Sequence, residues 1–485
     1  MSEQVSKKKV ISSVVWKLLE SGGVQVVQFI VSIIIARLVE PSSYGTVALL
    51  TVFVSIATVF VQSGLSTALI QKKDAESVHY SSVFYYSTLV AVVVYLILFF
   101  SAESIAGFYN MPELKTVLRI MSLTLFPGAL NSVQIAILTK RMQFRRQFFS
   151  GLIAALLSGI IGIIFAKMGF GVWALVCQQL SYQVIVCIIL WFLVGWRPTV
   201  EFSFKQTIGL LKYGSKLLVA NLIDTIYHNL ENLIIGKKYS EESLAFFSKG
   251  KQFPLLLIHN VNGSVQSVMF SVYSKSQDDI NKIKSMLRRT MTLSTYLVFP
   301  AMIGLAVVAQ PLISLLLGEK WLPCVPFLQI YCFVTMLFPM QTANMQAINA
   351  IGRSDIYLKL MIFKRAFSVL VLVLTVLIFN SAFAIVCSCL FIELVSVIVN
   401  FIPNIKLIGY KLSEQLTDII PNFIISALMG IVVYCVSFFN IPDFLTIGLQ
   451  LLTGVALYIL LSIILRYHNF KYLLKTIKGE NNESV

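Results

Sequence analysis

Ionisable side chains occur inside stretches of this sequence that are apolar and long enough to cross a lipid bilayer. A charged group within a membrane costs roughly 2.5 to 3.5 kcal/mol on insertion scales, so such groups usually face a wet cavity and bind ions or charged ligands. With Lys359, near the end of its stretch, counted with the neighbouring loop, eight are basic and four are acidic, which leaves a balance of +4 and predicts a cavity that attracts an anion. They are Lys17, Arg119, Lys212, Lys216, Lys249, Lys251, Lys364 and Arg365, with Glu20, Asp224, Glu231 and Glu393.

The richest of these stretches, residues 208–235, has one polar face. At about 100° per residue, six polar side chains share about half of the helix circumference. An alternative stays open, in which Lys212 and Lys249 extend to nearby head groups and the carboxylates pair with neighbouring lysines as packing contacts. The six are Lys212, Lys216, Asn221, Asp224, His228 and Glu231.

The isolated ionisable groups also allow two interpretations. Lys17 and Glu20 are three residues apart, so they can share a helix face and neutralise each other. Arg119 is expected to extend to the membrane interface, whereas Arg365 fits the interface and the cavity equally well. Glu393, near mid-membrane, is suited to ion coupling if it takes up a proton, or it bonds a neighbouring helix.

The amino-acid composition predicts which secondary-structure elements carry these residues. With 57% hydrophobic and 12% charged residues among 485, the chain is unlike a soluble enzyme domain and predicts an all-α, polytopic membrane protein. Fourteen spans are predicted, at 11–35, 46–70, 83–100, 118–138, 148–166, 170–194, 208–235, 244–272, 291–317, 325–350, 356–378, 383–401, 419–439 and 445–465. The seventh and eighth are polar enough for a hydropathy threshold to miss them.

The loops between these spans carry most of the net charge of +16. With the N-terminus in the cytoplasm, 24 Lys and Arg residues lie in cytoplasmic segments and six in outer loops. This is the bias expected of cytoplasmic loops, so both termini are predicted to be cytoplasmic. Because the basic residues face an anionic inner leaflet, nucleic-acid binding is not expected.

Sites for other chemistry are not expected in the sequence. The four histidines are scattered, so no metal site is predicted, and no phosphate-binding loop indicates ATP or another cofactor. The outer loops are too short to hold the acid and base residues of an enzyme. Seven cysteines, all in or beside apolar stretches, do not suggest disulfides.

A weak internal repeat indicates how the spans are organised. Shifting the chain by 200 positions places 33–37 over 233–237 and 61–64 over 261–264. A duplicated six-span unit predicts two pseudo-symmetric lobes related by an axis along the membrane normal. The predicted domains are an N-lobe at 1–200, a C-lobe at 201–410, and two additional spans with a basic cytoplasmic tail at 411–485.

Four segments together resemble the Wzx-type oligosaccharide flippases, the polysaccharide-transporter branch of the multidrug/oligosaccharidyl-lipid/polysaccharide exporter superfamily, and especially its colanic-acid and teichuronic-acid exporters. They are Ala36-Arg37-Leu38-Val39-Glu40-Pro41-Ser42-Ser43-Tyr44-Gly45, Lys140-Arg141-Met142-Gln143-Phe144, Leu316-Leu317-Gly318-Glu319-Lys320-Trp321 and Ala350-Ile351-Gly352-Arg353. The resemblance implies a two-lobed bacterial inner-membrane transporter that passes an undecaprenyl-diphosphate-linked sugar unit to the outer leaflet. It also implies alternating access driven by an ion gradient.

The resemblance extends to site residues, because cationic cavity residues of this family are thought to hold the diphosphate and sugar. The expected substrate-binding residues are Lys17, Lys212, Lys216, Lys249 and Arg365. The expected ion-coupling residues, for H⁺ or Na⁺, are Glu20, Asp224, Glu231 and Glu393. Partners would be the lipid-linked oligosaccharide, membrane lipid and other polysaccharide assembly proteins. Two alternatives remain: a multidrug/cation antiporter, which should have an acidic cavity, and a membrane polysaccharide polymerase.

Overall fold

The computed structural model describes residues 12, 15–17, 19–62, 64–72, 74–273, 279–439 and 441–465. Within this part of the chain every regular element is helical and no strand occurs. The predicted all-α membrane fold is therefore confirmed. The basic tail expected at 466–485 and the N-terminal residues 1–11, which include Lys7, Lys8 and Lys9, lie outside the described residues.

Two compact units divide the chain between Ala245 and Phe246. In unit 1, a π-helical turn at Leu19–Gly23 precedes the first α-helix. The helices of this unit are α1 Val24–Leu38, α2 Pro41–Gln62, α3 Leu65–Gln71, α4 Ser77–Tyr109, α5 Glu113–Met121, α6 Leu125–Lys140, α7 Phe144–Lys167, α8 Val172–Val194 and α9 Phe204–Lys238. Helix α10, Glu241–Tyr273, begins in unit 1 and continues into unit 2.

Unit 2 holds the rest of α10 and eight further helices. They are α11 Ile280–Val307, α12 Ala309–Leu317, α13 Val325–Met336, α14 Phe338–Ala350, α15 Ser354–Ile378, α16 Ala382–Leu407, α17 Leu412–Cys435 and α18 Asp443–Ile464. Helix α17 is fastened to α11 by the Arg288 guanidinium, which donates to both carboxylate oxygens of Asp418 at 2.8 Å.

Twelve helical stretches of the described chain are long and apolar enough to cross a membrane. The long helices α9 and α10 are not among them, although they occupy the predicted seventh and eighth spans. With 35 and 33 residues, they are about 50 Å long at 1.5 Å per residue, which exceeds a hydrocarbon core of about 30 Å. The chain is thus a multi-pass membrane protein, while the number fourteen stays a prediction.

Helix α9 packs within unit 1, beside α2, α3 and α4. A Cβ added to Gly64 would lie 2.8 Å from the carbonyl oxygen of Gly214 and 2.9 Å from Cβ of Leu217. Ile235, near the end of α9, is fully buried. The lobes at 1–200 and 201–410 are predicted from the number of spans and not from contacts between residues. They remain a prediction.

Helix ends recur at the spacing of the internal repeat. Helices α1 and α9 end at Leu38 and Lys238, and the next helices begin at Pro41 and Glu241. The first residue after each end is held in the same way. Val39 N–H donates to Ile35 and Tyr239 N–H donates to Ile235, both at 2.9 Å. The 200-residue offset found in the sequence therefore corresponds to equivalent helix junctions.

A second pair of junctions recurs at an offset of 210 residues. The turn between α6 and α7 and the turn between α14 and α15 each contain one residue with positive φ, Met142 at 55° and Gly352 at 76°. In both turns the next residue donates a backbone hydrogen bond five positions back, Gln143 to Leu138 and Arg353 to Ile348. Two of the four family-like motifs thus adopt one conformation.

We expect Gly352→Ala to lower the thermal unfolding temperature of the purified protein. An added Cβ would meet no atom within 4 Å, so the effect isolates the backbone angle. Placing an L-residue in the left-handed region costs about 1 to 2 kcal/mol. Differential scanning fluorimetry in detergent measures it, with Gly448→Ala as control, since that glycine is helical and also lacks close neighbours. Equal unfolding temperatures for the Gly352 variant and wild type would contradict the argument.

Candidate functional site

The polar face of α9 is largely uncovered by protein. Lys216 is exposed, and the side chains of Asp224 and His228 are 52% and 64% exposed. His228 Nε2 lies 3.4 Å from Asp224 Oδ1, one helical turn away. Glu231 is half-buried. Since membrane helices seldom leave such groups uncovered without a wet or polar neighbour, this face is the strongest candidate for contact with substrate.

The side chain of Lys212 lies outside the described part of the chain, although its backbone continues α9. On a regular helix, position 212 is one turn before Lys216, so the two backbone positions belong to the same face. The predicted cationic pair is therefore compatible with the backbone.

The start of the first span carries an ion pair. Lys17 Nζ lies 2.5 Å from Glu20 Oε2, with side chains 52% and 27% exposed. The ammonium group also sits 5.5 Å from the ring centroid of Phe144. The spacing of three residues therefore does bring these charges together, and Glu20 lies in the π-helical turn before α1. Such turns often accompany functional sites.

Lys249 on α10 is in a different environment. It is 5% exposed, and its ammonium group donates to Gln252 Oε1 at 3.2 Å. Next to it, a Cβ on Gly250 would lie 3.0 Å from the carbonyl oxygen of Cys324. This close helix packing buries Lys249 rather than exposing it to a cavity, so a substrate could reach it only after these helices separate.

Two cations with weaker sequence signals are held by aromatic rings. Arg119 donates from Nε to the carbonyl oxygen of Phe99 at 3.1 Å and stacks over that ring at 4.0 Å. Lys251 lies 4.6 Å from the ring of Phe247. Cation–π contacts of this kind hold a charge in place and do not require a ligand.

A polar cluster surrounds Glu393 in unit 2. Gln341 Nε2 on α14 donates to Glu393 Oε2 on α16. The amide oxygen of Gln341 accepts from Lys364 Nζ on α15 at 3.5 Å and from Asn400 Nδ2 at 3.3 Å. Of the two interpretations of Glu393, ion coupling and a bond to a neighbouring helix, the second therefore describes the observed contact. Arg365 follows Lys364 on α15 and is half-buried.

Buried amides continue this cluster toward one end of α16. Asn404 Nδ2 donates to Asn344 Oδ1 at 2.6 Å, and Asn344, Asn400 and Asn404 are all completely buried. Sequence reasoning missed these residues because it scored charges only. Asn400 and Asn404, four apart on an apolar helix, were the signal that could have found them.

The site residues thus fall into two sets. Unit 1 contains the predicted residues of the first and seventh spans, and unit 2 contains Lys249, Arg365 and Glu393. Their roles as substrate-binding or ion-coupling groups stay predictions. No group of three His, Cys, Asp or Glu side chains that could hold a metal ion occurs among the described residues.

The amino-acid sequence matches a family model described as polysaccharide biosynthesis protein over residues 34–326. Succinoglycan biosynthesis transport protein ExoT of Rhizobium meliloti (strain 1021) is 26% identical over 323 residues, which cover 66% of this chain and 65% of ExoT. Teichuronic acid biosynthesis protein TuaB of Bacillus subtilis (strain 168) is 23% identical over 478 residues, covering 94% and 95% of the two chains. The chain spans just under two thirds of ExoT and nearly all of TuaB.

The fold is similar to that of solved membrane transporters. Lipid II flippase MurJ, in an inward closed conformation, superposes with a TM-score of 0.74 at 16% identity, over 93% of this chain and 99% of MurJ. An inward-facing multidrug resistance MATE family transporter of the MOP superfamily gives a TM-score of 0.63 at 15% identity, over 79% and 94% of the two chains. At these identities the likeness concerns the fold.

Proposed function

Because the chain belongs to the polysaccharide biosynthesis protein family, we propose that it is a flippase for a polyprenyl-linked oligosaccharide. In this proposal an undecaprenyl-diphosphate-linked sugar unit moves from the cytoplasmic to the outer leaflet of a bacterial inner membrane, for surface polysaccharide biosynthesis. The family predicted from the four sequence motifs is the family to which the chain belongs. ExoT and TuaB, which are named for succinoglycan and teichuronic acid biosynthesis, support the substrate class.

The observation that carries the proposal is the polar face of α9. A head group of several sugars and a diphosphate must cross about 30 Å of hydrocarbon, which strongly disfavours polar groups. A helix long enough to span the membrane but too polar to count as an apolar span can line a hydrated path. Exposed Lys216 would meet the diphosphate there, and Lys212, one turn earlier on the same helix, would provide a second cation.

The remaining predicted residues take supporting roles in the proposal. Lys17 and Arg365 would add positive charge along the path, and Lys249 would do so in a conformation that uncovers it. Glu20, Asp224, Glu231 and Glu393 would exchange H⁺ or Na⁺ to reset an alternating-access cycle. The protein would not be an enzyme, would keep both termini in the cytoplasm, and would work beside other polysaccharide assembly proteins.

A multidrug/cation antiporter is the alternative favoured by one observation, the fold shared with a MATE transporter. A cationic drug requires an acidic cavity, whereas the ionisable groups within the spans sum to +4. The anionic lipid-linked substrate therefore fits the charges better. A membrane polymerase is disfavoured by the short outer loops predicted from the sequence.

A sidedness assay tests the proposal. Cells that lack the protein are expected to accumulate lipid-linked sugar units inaccessible to a membrane-impermeant glycan-modifying enzyme, and plasmid-borne protein should restore access. A strain without the polymerase serves as control, because it should still present single units at the outer leaflet. Accessible units in the deletion strain would remove flipping from the proposal.

A further inference from the structure

One side of α16 carries a row of polar side chains through an otherwise apolar helix. Glu393, Asn400 and Asn404 project within about 40° of each other at 100° per residue. They extend over about 16 Å at 1.5 Å per residue, from near the middle of the helix to its last turn, which ends at Leu407. The bias of Lys and Arg between the loops predicts that this end lies in the cytoplasm. Gln341 and Asn344 on α14 complete the row by hydrogen bonds.

Two acceptor atoms in this row have no hydrogen-bond donor within the described part of the chain. They are Asn400 Oδ1 and Asn404 Oδ1, both on fully buried side chains. A buried acceptor without a donor costs about 1 to 3 kcal/mol. The usual partner in a protein interior is a buried water molecule, which makes about three hydrogen bonds to such groups. The row therefore has both the polarity and the unmet hydrogen-bonding capacity to hold water.

The immediate surroundings of Glu393 favour a proton over a metal cation as its ligand. Gln341 presents an N–H donor to the carboxylate, whereas hard cations require several oxygen ligands. Lys364, bonded to the same amide, supplies a positive charge that stabilises the carboxylate left when the proton is released.

Other ionisable groups also lie on α16 and on the helices around it. Helix α14 has none, and α13 has only Tyr331 and Cys332. On α17, the carboxylates Glu414 and Asp418 are paired with Lys284 and Arg288. The remaining ones are Asp355, Tyr357, Lys359, Lys364 and Arg365 on α15, Tyr434 and Cys435 on α17, and Cys387, Cys389 and Lys406 on α16 itself.

We propose that Glu393 is a proton-binding carboxyl and that the amide row of Gln341, Asn344, Asn400 and Asn404 holds water through which its proton exchanges with the cytoplasm. The carboxylic acid gives its proton to an adjacent water molecule and becomes the carboxylate, and bulk water receives the proton at the last turn of α16. This inference rests on the proposed function, which it deepens by naming the proton as the coupling ion. Release of a proton into the cytoplasm is the direction that can drive export.

Infrared difference spectroscopy on the full-length protein in lipid nanodiscs tests the proposal without any sugar substrate. Lowering the pH should produce the carbonyl stretch of a protonated carboxyl that is missing in Glu393→Gln. Replacing sodium chloride by choline chloride should leave its titration unchanged. On transfer to deuterated buffer, Asn400→Leu and Asn404→Leu should slow the isotope shift of this band about tenfold, which corresponds to about 1.4 kcal/mol of barrier.

Three control variants distinguish loss of the proton path along the amide row from general damage to the fold. Asn422→Leu removes a buried amide bonded to Thr292 and Thr295, outside the row, and should keep the wild-type exchange rate. Asn400→Ser and Asn404→Ser retain a hydroxyl that can bind water and should also exchange at the wild-type rate. Unslowed exchange in the leucine variants, slowed exchange in the serine variants, a sodium-dependent titration, or a band that survives Glu393→Gln would each overturn the proposal. The infrared experiment does not measure flipping. A negative result would therefore reject the proton path without rejecting the flippase function, which the sidedness assay tests separately.

Discussion

Cells in which Lys212 and Lys216 are both replaced by alanine are expected to lose surface polysaccharide while keeping normal amounts of the protein in the membrane. Positions 212 and 216 are one helical turn apart on the backbone of α9, and Lys216 is exposed on its polar face. A hydrogen bond to a charged group contributes about 1.5 to 3 kcal/mol. Loss of two should weaken diphosphate binding by about 3 kcal/mol or more, which is a factor of about 150.

Two controls make this result interpretable. Lys212→Arg with Lys216→Arg keeps both charges and should retain most of the polysaccharide. Lys115→Ala removes a cation that pairs with Glu103 at 3.0 Å, outside the predicted site residues, and should have no effect. Staining of surface polysaccharide and quantitative immunoblotting of membranes provide the two readouts. Polysaccharide at wild-type levels in the double alanine variant would exclude both lysines from the mechanism.

The helices could be predicted from the sequence because hydropathy and length determine which segments cross a membrane. Even α9 and α10, which are too polar for a hydropathy threshold, were expected from the charge bias of the loops. The internal repeat could also be detected from the sequence around Leu38 and Lys238, which end equivalent helices. It was not visible at Met142 and Gly352, because their shared turn depends on backbone angles that a methionine and a glycine both adopt.

The neighbours of the site residues could not be predicted in the same way. Spacing shows which residues share a face on one helix, so the Lys17–Glu20 pair was expected and is found. It does not show which helices meet, and therefore Glu393 looked isolated although Gln341 on α14 bonds it. Lys249 looked like a cavity residue for the same reason, because the helix packing around Gly250 that buries it involves residues about 75 positions later.

Gly45→Ala is expected to reduce the amount of folded protein severely, which is the largest structural effect we predict. Gly45 is the fifth residue of α2 and the last residue of the longest of the family-like motifs. A Cβ there would lie 1.9 Å from the carbonyl oxygen of Glu241 and 2.6 Å from its carbonyl carbon. Both are backbone atoms at the start of α10, so neither can move as a flexible side chain would. Overpacking typically costs 1 to 3 kcal/mol and occasionally more, and a contact this short should lie at the upper end.

Fluorescence-detected size-exclusion chromatography would measure the expected loss of the monodisperse peak. Gly128→Ala is the matched control, since Gly128 is also helical and an added Cβ would meet no atom within 4 Å. That substitution should be neutral or slightly stabilising, because alanine favours helix by about 1 kcal/mol over glycine. Thr46→Val tests the same junction more gently by removing the 3.1 Å hydrogen bond from Thr46 to Glu241. If Gly45→Ala eluted like Gly128→Ala, the start of α10 would have to move freely against α2, and the glycine would need an explanation other than close approach.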